Sequence, residues 1–539
     1  MIMCWILHCE RVDKLEKVLM CGIAGVWGNI DESDGSMQSI VQRMIEVQHH
    51  RGPDGHGAHV QLHQGVLGHT RLAIMDPAQG RQPIHNEDCS TTLVANGMIY
   101  NHPQLRRRLG TSHEFASNSD SETVLHVFED QGLATPRLLD GMFAFAISKG
   151  DRLVLARDRI GIKPLYYGYK ANACDKNGRD INNDAGKVMY FASELKALIP
   201  FVEDVKEFPP GTIYDSHSGF HTYYEVPDRI PVELDPQVHI RRVRETVEAA
   251  VKKRLLSDVP LGAFLSGGLD SSIIAAVAKK YMPELHTFSV GVDGSRDLQA
   301  ARRVARHIGS VHHEYIYSAA EVVDKLPEIL YYLESFDQDL VRSAIPTWFC
   351  ARLAADKVKV ILTGEGADEL FAGYSYHKAI AGEAALHREL RRSITRLHNI
   401  NLQRVDRMTM RHAIEARVPF LDTDVIAMAQ SIPARFKLCR QDDGRYIEKW
   451  ILRKAFEELL PADIVWRNKE QFDEGSGMVD MLPEVLNRVA AGLDTETYQT
   501  RFKTDRLRSR EECFYHSLLR EQFERPEAVL ANVGRWQID

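Results

Sequence analysis

From Cys21 to about Tyr224, apolar positions fall in short runs broken by glycine, the spacing expected of strands separated by turns. Thr92–Asn96, Met142–Ser148, Leu153–Arg157 and Val188–Ala192 have strand length, while helical spacing is confined to stretches near Met37–Gln48 and Ser121–Gln131. This half is therefore expected to be sheet-rich with packed helices. Between roughly Glu203 and Asp235, the segment Pro209-Pro210-Gly211 with Pro227 and Pro231 predicts irregular connection between domains. Beyond it the pattern changes. Compact apolar runs at Val259–Leu265, Thr287–Val292 and Val358–Thr363 alternate with helical patterns such as Ser272–Lys280 and Leu298–His307. Strand–helix alternation predicts a parallel sheet covered on both faces. From about Tyr374 the chain is expected to be mainly helical.

A length of 539 residues, 44% hydrophobic and 26% charged, suits a globular protein of at least two domains. The net charge of −8 provides no global field for nucleic acid, and local runs such as Arg106–Arg108 read as solvated helix faces. The apolar start, Met1–Leu7, is too short for a membrane span and runs straight into charged residues. The eight cysteines form no CxxC pair and no regular spacing, so neither a zinc cage nor a disulfide framework is expected, and a reducing cytoplasm fits.

The strongest chemical signal is Leu265-Ser266-Gly267-Gly268-Leu269-Asp270-Ser271-Ser272, where an apolar strand ends and a helix begins. Glycines let backbone N–H groups close on an anion, serines add donors, and a helix N-terminus adds positive potential. A lone Gly-Gly would be read as a capped turn; the whole segment reads as a phosphate cradle, without the lysine of a Walker loop. Thr363-Gly364-Glu365-Gly366-Ala367-Asp368-Glu369 again follows a strand and joins glycines to three carboxylates, which alone would be read as helix N-terminal charges.

The first segment resembles the PP-loop of the ATP pyrophosphatases. Together with Glu415–Asp422 and Lys469-Glu470-Gln471-Phe472, the two segments resemble the synthetase domain of the asparagine synthetases. The resemblance implies ATP as cosubstrate, held by Leu265, Ser266, Gly267, Gly268, Asp270, Ser271, Val290, Thr363 and Gly364, with Mg²⁺ on Asp270 and Asp368. It implies Glu365 as the base or orienter for ammonia, Lys469 as the cation that neutralises developing charge, and Arg342 as an acceptor-binding residue. The family's threonine-rich approach to that arginine is replaced here by Asp339-Leu340.

In the first half, Met20-Cys21-Gly22-Ile23 begins a strand-like run in which a cysteine would ordinarily be packing. With Met20 removed, Cys21 would carry a free α-amine, whose pKa of about 7.7–8.0 suits it to take the thiol proton. His50–Asp54, His69–Leu72, Asn96–Asn101 and Ser119–Glu122 follow in order, and the set resembles the N-terminal-nucleophile glutaminase domain of the same family. The resemblance implies Cys21 as nucleophile, Asn96 and Gly97 as oxyanion hole, Arg71 on the glutamine carboxylate and Asp120 on its ammonium. Met98 stands where the family commonly has an acidic residue.

The expected organisation is an extension at 1–20 absent from the mature protein, a glutaminase domain at 21–215, a linker at 216–236 and a synthetase domain at 237–539. The expected architecture is an αββα sandwich followed by an α/β parallel-sheet PP-loop domain. The implied reaction makes asparagine from aspartate, glutamine and ATP, with ammonia passing through an enclosed passage; a relative amidating another carboxylate is the alternative. Neither nucleic acid nor membrane is an expected partner, and a homodimer is left open.

Overall fold

Strands buried on both faces build the first part of the molecule. In chain order its strands are β1 (Gly22–Trp27), β2 (Gly55–Gln61), β3 (Gly65–Arg71), β4 (Ile84–His85), β5 (Thr91–Ile99), β6 (Gly141–Lys149), β7 (Arg152–Arg157), β8 (Tyr166–Ala171), β9 (Lys187–Ala192), β10 (Val205–Glu207), β11 (Thr212–Asp215) and β12 (Gly219–Thr222). They form two antiparallel six-stranded sheets, ordered β10-β8-β9-β1-β3-β2 and β12-β11-β7-β6-β5-β4. Ile23, Leu67, Val94, Ala144, Leu155 and Phe191 fill the space between the sheets. Alternate residues face outward: Ala24, Val26 and Val66 meet Val41, Met44 and Ile45 of α1 (Ser36–Val47). On the opposite side Leu93, Ala95, Phe143 and Phe145 meet Leu105 and Leu109 of α2 (His102–Leu109) and Val124, Leu125 and Phe128 of α3 (Asp120–Gln131). The expected αββα layering is thus present. This computed structural model describes residues 21–28, 36–52, 54–171, 187–233, 235–470, 472–490 and 492–536, so the expected extension at 1–20 lies outside the described residues.

The second part is a parallel sheet ordered β15-β14-β13-β16-β17, from β13 (Leu261–Phe264), β14 (His286–Gly291), β15 (Val311–Ile316), β16 (Val360–Leu362) and β17 (Glu415–Arg417). Both faces are covered, as parallel sheets require. Ile273, Ile274 and Val277, from the helix Leu269–Lys279, pack with Ala263 and Leu362 on one face. Ile345 and Phe349, from the helix Gln338–Ala355, pack with Phe288 and Ile361 on the other.

Two regions depart from the sequence expectation. The supposedly irregular stretch after Glu203 carries β10, β11 and β12, which complete the two sheets; β12 lies inside the expected linker. These strands are only a few residues long, and Pro209 and Pro210 fall between β10 and β11 while Pro227 and Pro231 follow β12, so periodicity had too little length to register. β17, in a region expected to be helical, is a three-residue edge strand pairing Val360 with Glu415 and Leu362 with Arg417.

The two parts are locked by buried charge. Arg51 reaches Glu194 at 2.7 Å and Asp406 at 2.8 Å, and Arg407 reaches Glu334 at 2.9 Å and Glu194 at 3.1 Å. Lys196 completes the network on Glu194 at 2.6 Å. Buried charges at such a junction require mutual pairing, because an unpaired one is costly. Among the described residues, no helix is long and apolar enough to cross a membrane, and Cys21, Cys89, Cys350, Cys439 and Cys513 are free thiols.

Candidate functional site

The carboxyl ends of parallel strands leave backbone and helix N-termini facing one crevice, and here that crevice is a cavity of about 400 Å³. After β13 the chain turns through Leu265–Gly268 into the helix beginning at Leu269. Gly267, at φ +75°, sits so close to the helix Arg296–Ile308 that a Cβ would lie 2.5 Å from Ala300 and Ala301. Ser266 and Ser271 knit the turn through their hydroxyls at 3.0 Å. After β16, Gly364 presses on this turn: a Cβ there would lie 2.9 Å from the backbone nitrogen of Ser271. The structure thereby brings the two glycine segments read from the sequence into contact. Leu265, Ser266, Gly268, Asp270, Ser271, Thr363, Gly364, Glu365, Asp368 and Lys469 all line the cavity.

Its charges interlock. Lys449 lies 2.5 Å from Asp270 and 2.6 Å from Asp368, while Lys469 lies 2.9 Å from Asp368. Burial opposes the charge on Asp368, but Lys449 and Lys469 outweigh it and hold the carboxyl well below the usual range. Burial likewise opposes the charge on Lys469, and Asp368 and Asp270 overcome it, raising that ammonium group. Glu365 is paired with Arg404, yet burial prevails and raises its carboxyl above the ordinary value. Glu369 also lines the cavity, accepting from Tyr374 at 2.6 Å, with its carboxyl pushed up to about 7 by burial and by Asp368. Asp270 Oδ1 is buried without a hydrogen-bond partner. Two carboxylates offering oxygen beside an anion-binding turn suit a hard divalent cation.

Arg342 does not itself line the cavity. The helix Gln338–Ala355 turns Asp339, Leu340, Ser343 and Thr347 toward the cavity, and Arg342 falls on the adjacent face, where Glu511 holds it at 2.5 Å. Val290 and Gly267 also lie outside the cavity lining: the Val290 side chain is in the core, so a nucleotide could meet only its backbone, while the neighbouring Phe288 and Ser289 line the cavity. Sequence reasoning missed Arg404, Lys449 and Arg467, all of which line the cavity. Arg467 stands two residues before Lys469 and could have been noticed there; Lys449 and Arg404 lie in no phosphate or carboxylate motif.

A second, smaller pocket of about 30 Å³ is lined by Cys21, Arg71, Asn96, Gly97, Met98, Ser119, Asp120 and, from β17, Glu415. The expected glutaminase residues therefore converge, although the pocket must widen to admit a molecule as large as glutamine. Leu72 donates its N–H to Cys21 Sγ at 3.1 Å. Burial nevertheless pushes the thiol up to about 12, so forming a thiolate at neutral pH requires a nearby proton acceptor. Asn96 Nδ2 is a buried donor without a hydrogen-bond partner. Arg71 is oriented by the carbonyls of Asp76 and Pro77 at 2.7 and 3.0 Å. Asp120 accepts from the Ile99 N–H at 2.8 Å, and burial, outweighing that bond, pushes its carboxyl up to about 7.

A thiol pocket on an antiparallel four-layer sandwich, joined to an anion-binding turn on a parallel sheet, defines a two-domain glutamine amidotransferase. The glutamine amidotransferase domain model matches residues 20–223, and the asparagine synthase model matches 242–383 and 378–539. The chain belongs to the asparagine synthase family. It is similar to asparagine synthetase [glutamine-hydrolyzing] 3 of Arabidopsis thaliana, at 39% identity over 95% of this chain and 89% of the relative. It is also similar to asparagine synthetase B [glutamine-hydrolyzing] of Escherichia coli (strain K12), at 37% identity over 95% of this chain and 92% of the relative.

Proposed function

We propose that the chain makes asparagine, converting aspartate, ATP, glutamine and water into asparagine, AMP, pyrophosphate and glutamate. The observation that carries this reading is the meeting, in one cavity, of the Ser266–Ser271 turn, Asp270, Asp368, Lys469 and Glu365, apart from the Cys21 pocket. The aspartate side-chain carboxylate attacks the α-phosphorus of ATP, forming β-aspartyl-AMP and releasing pyrophosphate. Ser266, Gly268, Ser271, Thr363 and Gly364 cradle the phosphates, and Asp270 and Asp368 would hold Mg²⁺, which when bound offsets phosphate charge. Ammonia then attacks the acyl carbon, Glu365 takes a proton, and AMP leaves with the bonding electron pair. Lys469 stabilises the negative charge that grows during both displacements.

In the other pocket Cys21 attacks the glutamine carboxamide, with the Asn96 amide and Gly97 N–H stabilising the oxyanion and Arg71 and Asp120 holding the two ends of the α-amino acid. Once the Met20–Cys21 peptide bond is cleaved, the free α-amine of Cys21 serves as the proton acceptor that its raised thiol requires. Ammonia leaves, and water resolves the thioester to glutamate. Leu72, Ile74, Met98, Tyr100 and Met142 beside this pocket belong to the same buried apolar cluster as Leu265 and Leu362 beneath the cavity, which supports transfer away from bulk water.

The test is pyrophosphate release with ATP, Mg²⁺, ammonium and one acid at a time. L-Aspartate is expected to give the signal; background release with aspartate alongside release with another acid overturns the reading. That second outcome is the alternative favoured by Arg342, which pairs with Glu511 and does not line the cavity.

Asp120 supplies a pH prediction. Its carboxyl is ionised above about 7 and neutral below, and only the ionised form attracts the glutamine ammonium. Glutaminase KM should therefore rise as pH falls below about 7, by up to about tenfold per unit. A KM constant across that interval in initial-rate assays removes Asp120 from glutamine binding.

A further inference from the structure

On the outer face of the first domain, away from both pockets, Glu87, His113, His126 and Glu129 each place one donor atom within 4.8 Å of the others. The parts come from separate pieces of chain: Glu87 from the turn between β4 and β5, His113 from the segment after α2, and His126 and Glu129 from α3. His126 Nδ1 is 2.8 Å from Glu129 Oε2, and His113 Nδ1 is 3.5 Å from that oxygen and 3.7 Å from Glu87 Oε1. Tetrahedral zinc with bonds of about 2.0–2.1 Å spaces its donors about 3.3 Å apart, close to these separations.

The surroundings add an independent sign of a built site. His113 directs its other nitrogen, Nε2, to Asp130 Oδ1 at 3.0 Å. His126 is 1% exposed, and its Nε2, without a hydrogen-bond partner, lies 3.9 Å from Glu122 Oε1. Glu129 uses its second oxygen to accept from Asn86 Nδ2 at 2.7 Å, leaving Oε2 directed at the imidazoles. Each imidazole thus has one nitrogen in the cluster and a carboxylate beside the other, the arrangement that fixes tautomer and ring orientation around a bound metal. Two neutral imidazoles and two carboxylates balance one divalent charge. The mixed nitrogen and oxygen donors suit zinc better than magnesium or calcium, which favour oxygen alone.

We infer that Glu87, His113, His126 and Glu129 form a binding site for a divalent transition-metal ion such as zinc. The ion would tie α3 to the two segments that cross it. Glu122, next to this cluster, also holds the backbone of Ala116 and Ser117, and Asn118 donates to Asp76, so the pinned segment leads directly to Ser119 and Asp120 of the Cys21 pocket. The site is structural: every ligand position is filled by protein, and no position remains for a reacting water.

The test is equilibrium dialysis of the chelator-treated full chain against zinc ion at micromolar free concentration, with bound metal counted by elemental mass spectrometry. One zinc per chain is expected, with affinity at least a hundredfold weaker in His113→Ala and about 10–100-fold weaker in Asp130→Asn, which keeps the ligands but removes the carboxylate behind His113. Asp270→Asn should bind as the unaltered protein does. Cobalt in place of zinc should give visible bands of a tetrahedral site without thiolate charge transfer. Failure of the unaltered chain to take up zinc overturns the inference, as does an affinity in His113→Ala equal to that of the unaltered chain or a thiolate signature in the cobalt spectrum.

Discussion

Glu365→Gln should abolish amide formation while leaving glutamine hydrolysis within a fewfold of the unaltered protein. Glu365 faces the cavity on the segment after β16, paired with Arg404, and burial raises its carboxyl toward the pH at which it must accept a proton. Glutamine keeps the shape and the hydrogen bonding to Arg404 but cannot take the proton from attacking ammonia. Loss of a positioned proton acceptor costs about 10²–10⁴ in rate. Pyrophosphate release need not fall in parallel, because activation precedes the step that needs the base. Rapid-quench measurement of asparagine and pyrophosphate separates the two. Asparagine formation at the unaltered rate takes Glu365 out of the mechanism, whereas equal loss of both products moves it to the activation step. The same carboxyl sets a sign for pH: asparagine formation should increase as pH rises through a pKa above the ordinary glutamate value and level off once Glu365 is ionised.

How much of this site could be read in advance depended on whether a residue sits in a local motif. The turn at Ser266–Ser271 and the carboxylates at Glu365 and Asp368 follow strands directly, so spacing and residue type disclosed them together. Lys449, which touches both Asp270 and Asp368, arrives from a distant segment at φ +54° and has no signature beyond being a lysine. Arg404 arrives on the helix Asn401–Met410 as one of two arginines there, and its pairing with Glu365 distinguishes it. Arg342 differs in that its neighbours line the cavity and it does not. Its sequence neighbourhood was informative, but helical periodicity rotates it away from Leu340 and Ser343, and Glu511 from the helix Arg510–Gln522 holds it there. The fold divides in the same way. Long strands such as β5 and β6 were legible as apolar runs of strand length between turn residues, while β10, β12 and β17 owe their existence to a neighbouring strand supplying hydrogen bonds, which no local pattern announces.

Cys21→Ala should lose glutamine-dependent synthesis by at least about 10³-fold, because no other group can form the thioester once the nucleophile is gone. Ammonium-dependent synthesis should persist near the unaltered rate, since ammonia from solution bypasses the thiol and still meets the cavity containing Asp270 and Glu365. The substitution is small enough to test chemistry rather than folding. Cys21 stands at the edge of β1, partly buried, and its Sγ accepts only the Leu72 N–H at 3.1 Å and approaches the Leu72 carbonyl at 3.5 Å. The strand itself is held by pairing of Gly22 with Thr70 and Ile23 with His69, which alanine at position 21 leaves in place. Serine is the sharper companion. It retains a hydroxyl of similar size but is a far weaker nucleophile, so Cys21→Ser should share the loss of glutaminase while binding glutamine normally by calorimetry. Asparagine formed from glutamine at an undiminished rate by Cys21→Ala would remove Cys21 as the nucleophile. Equal loss of the glutamine-dependent and ammonium-dependent rates would instead overturn the division of labour between the two pockets, because it would mean that the buried charges joining Arg51, Glu194 and Asp406 make the domains a single catalytic unit.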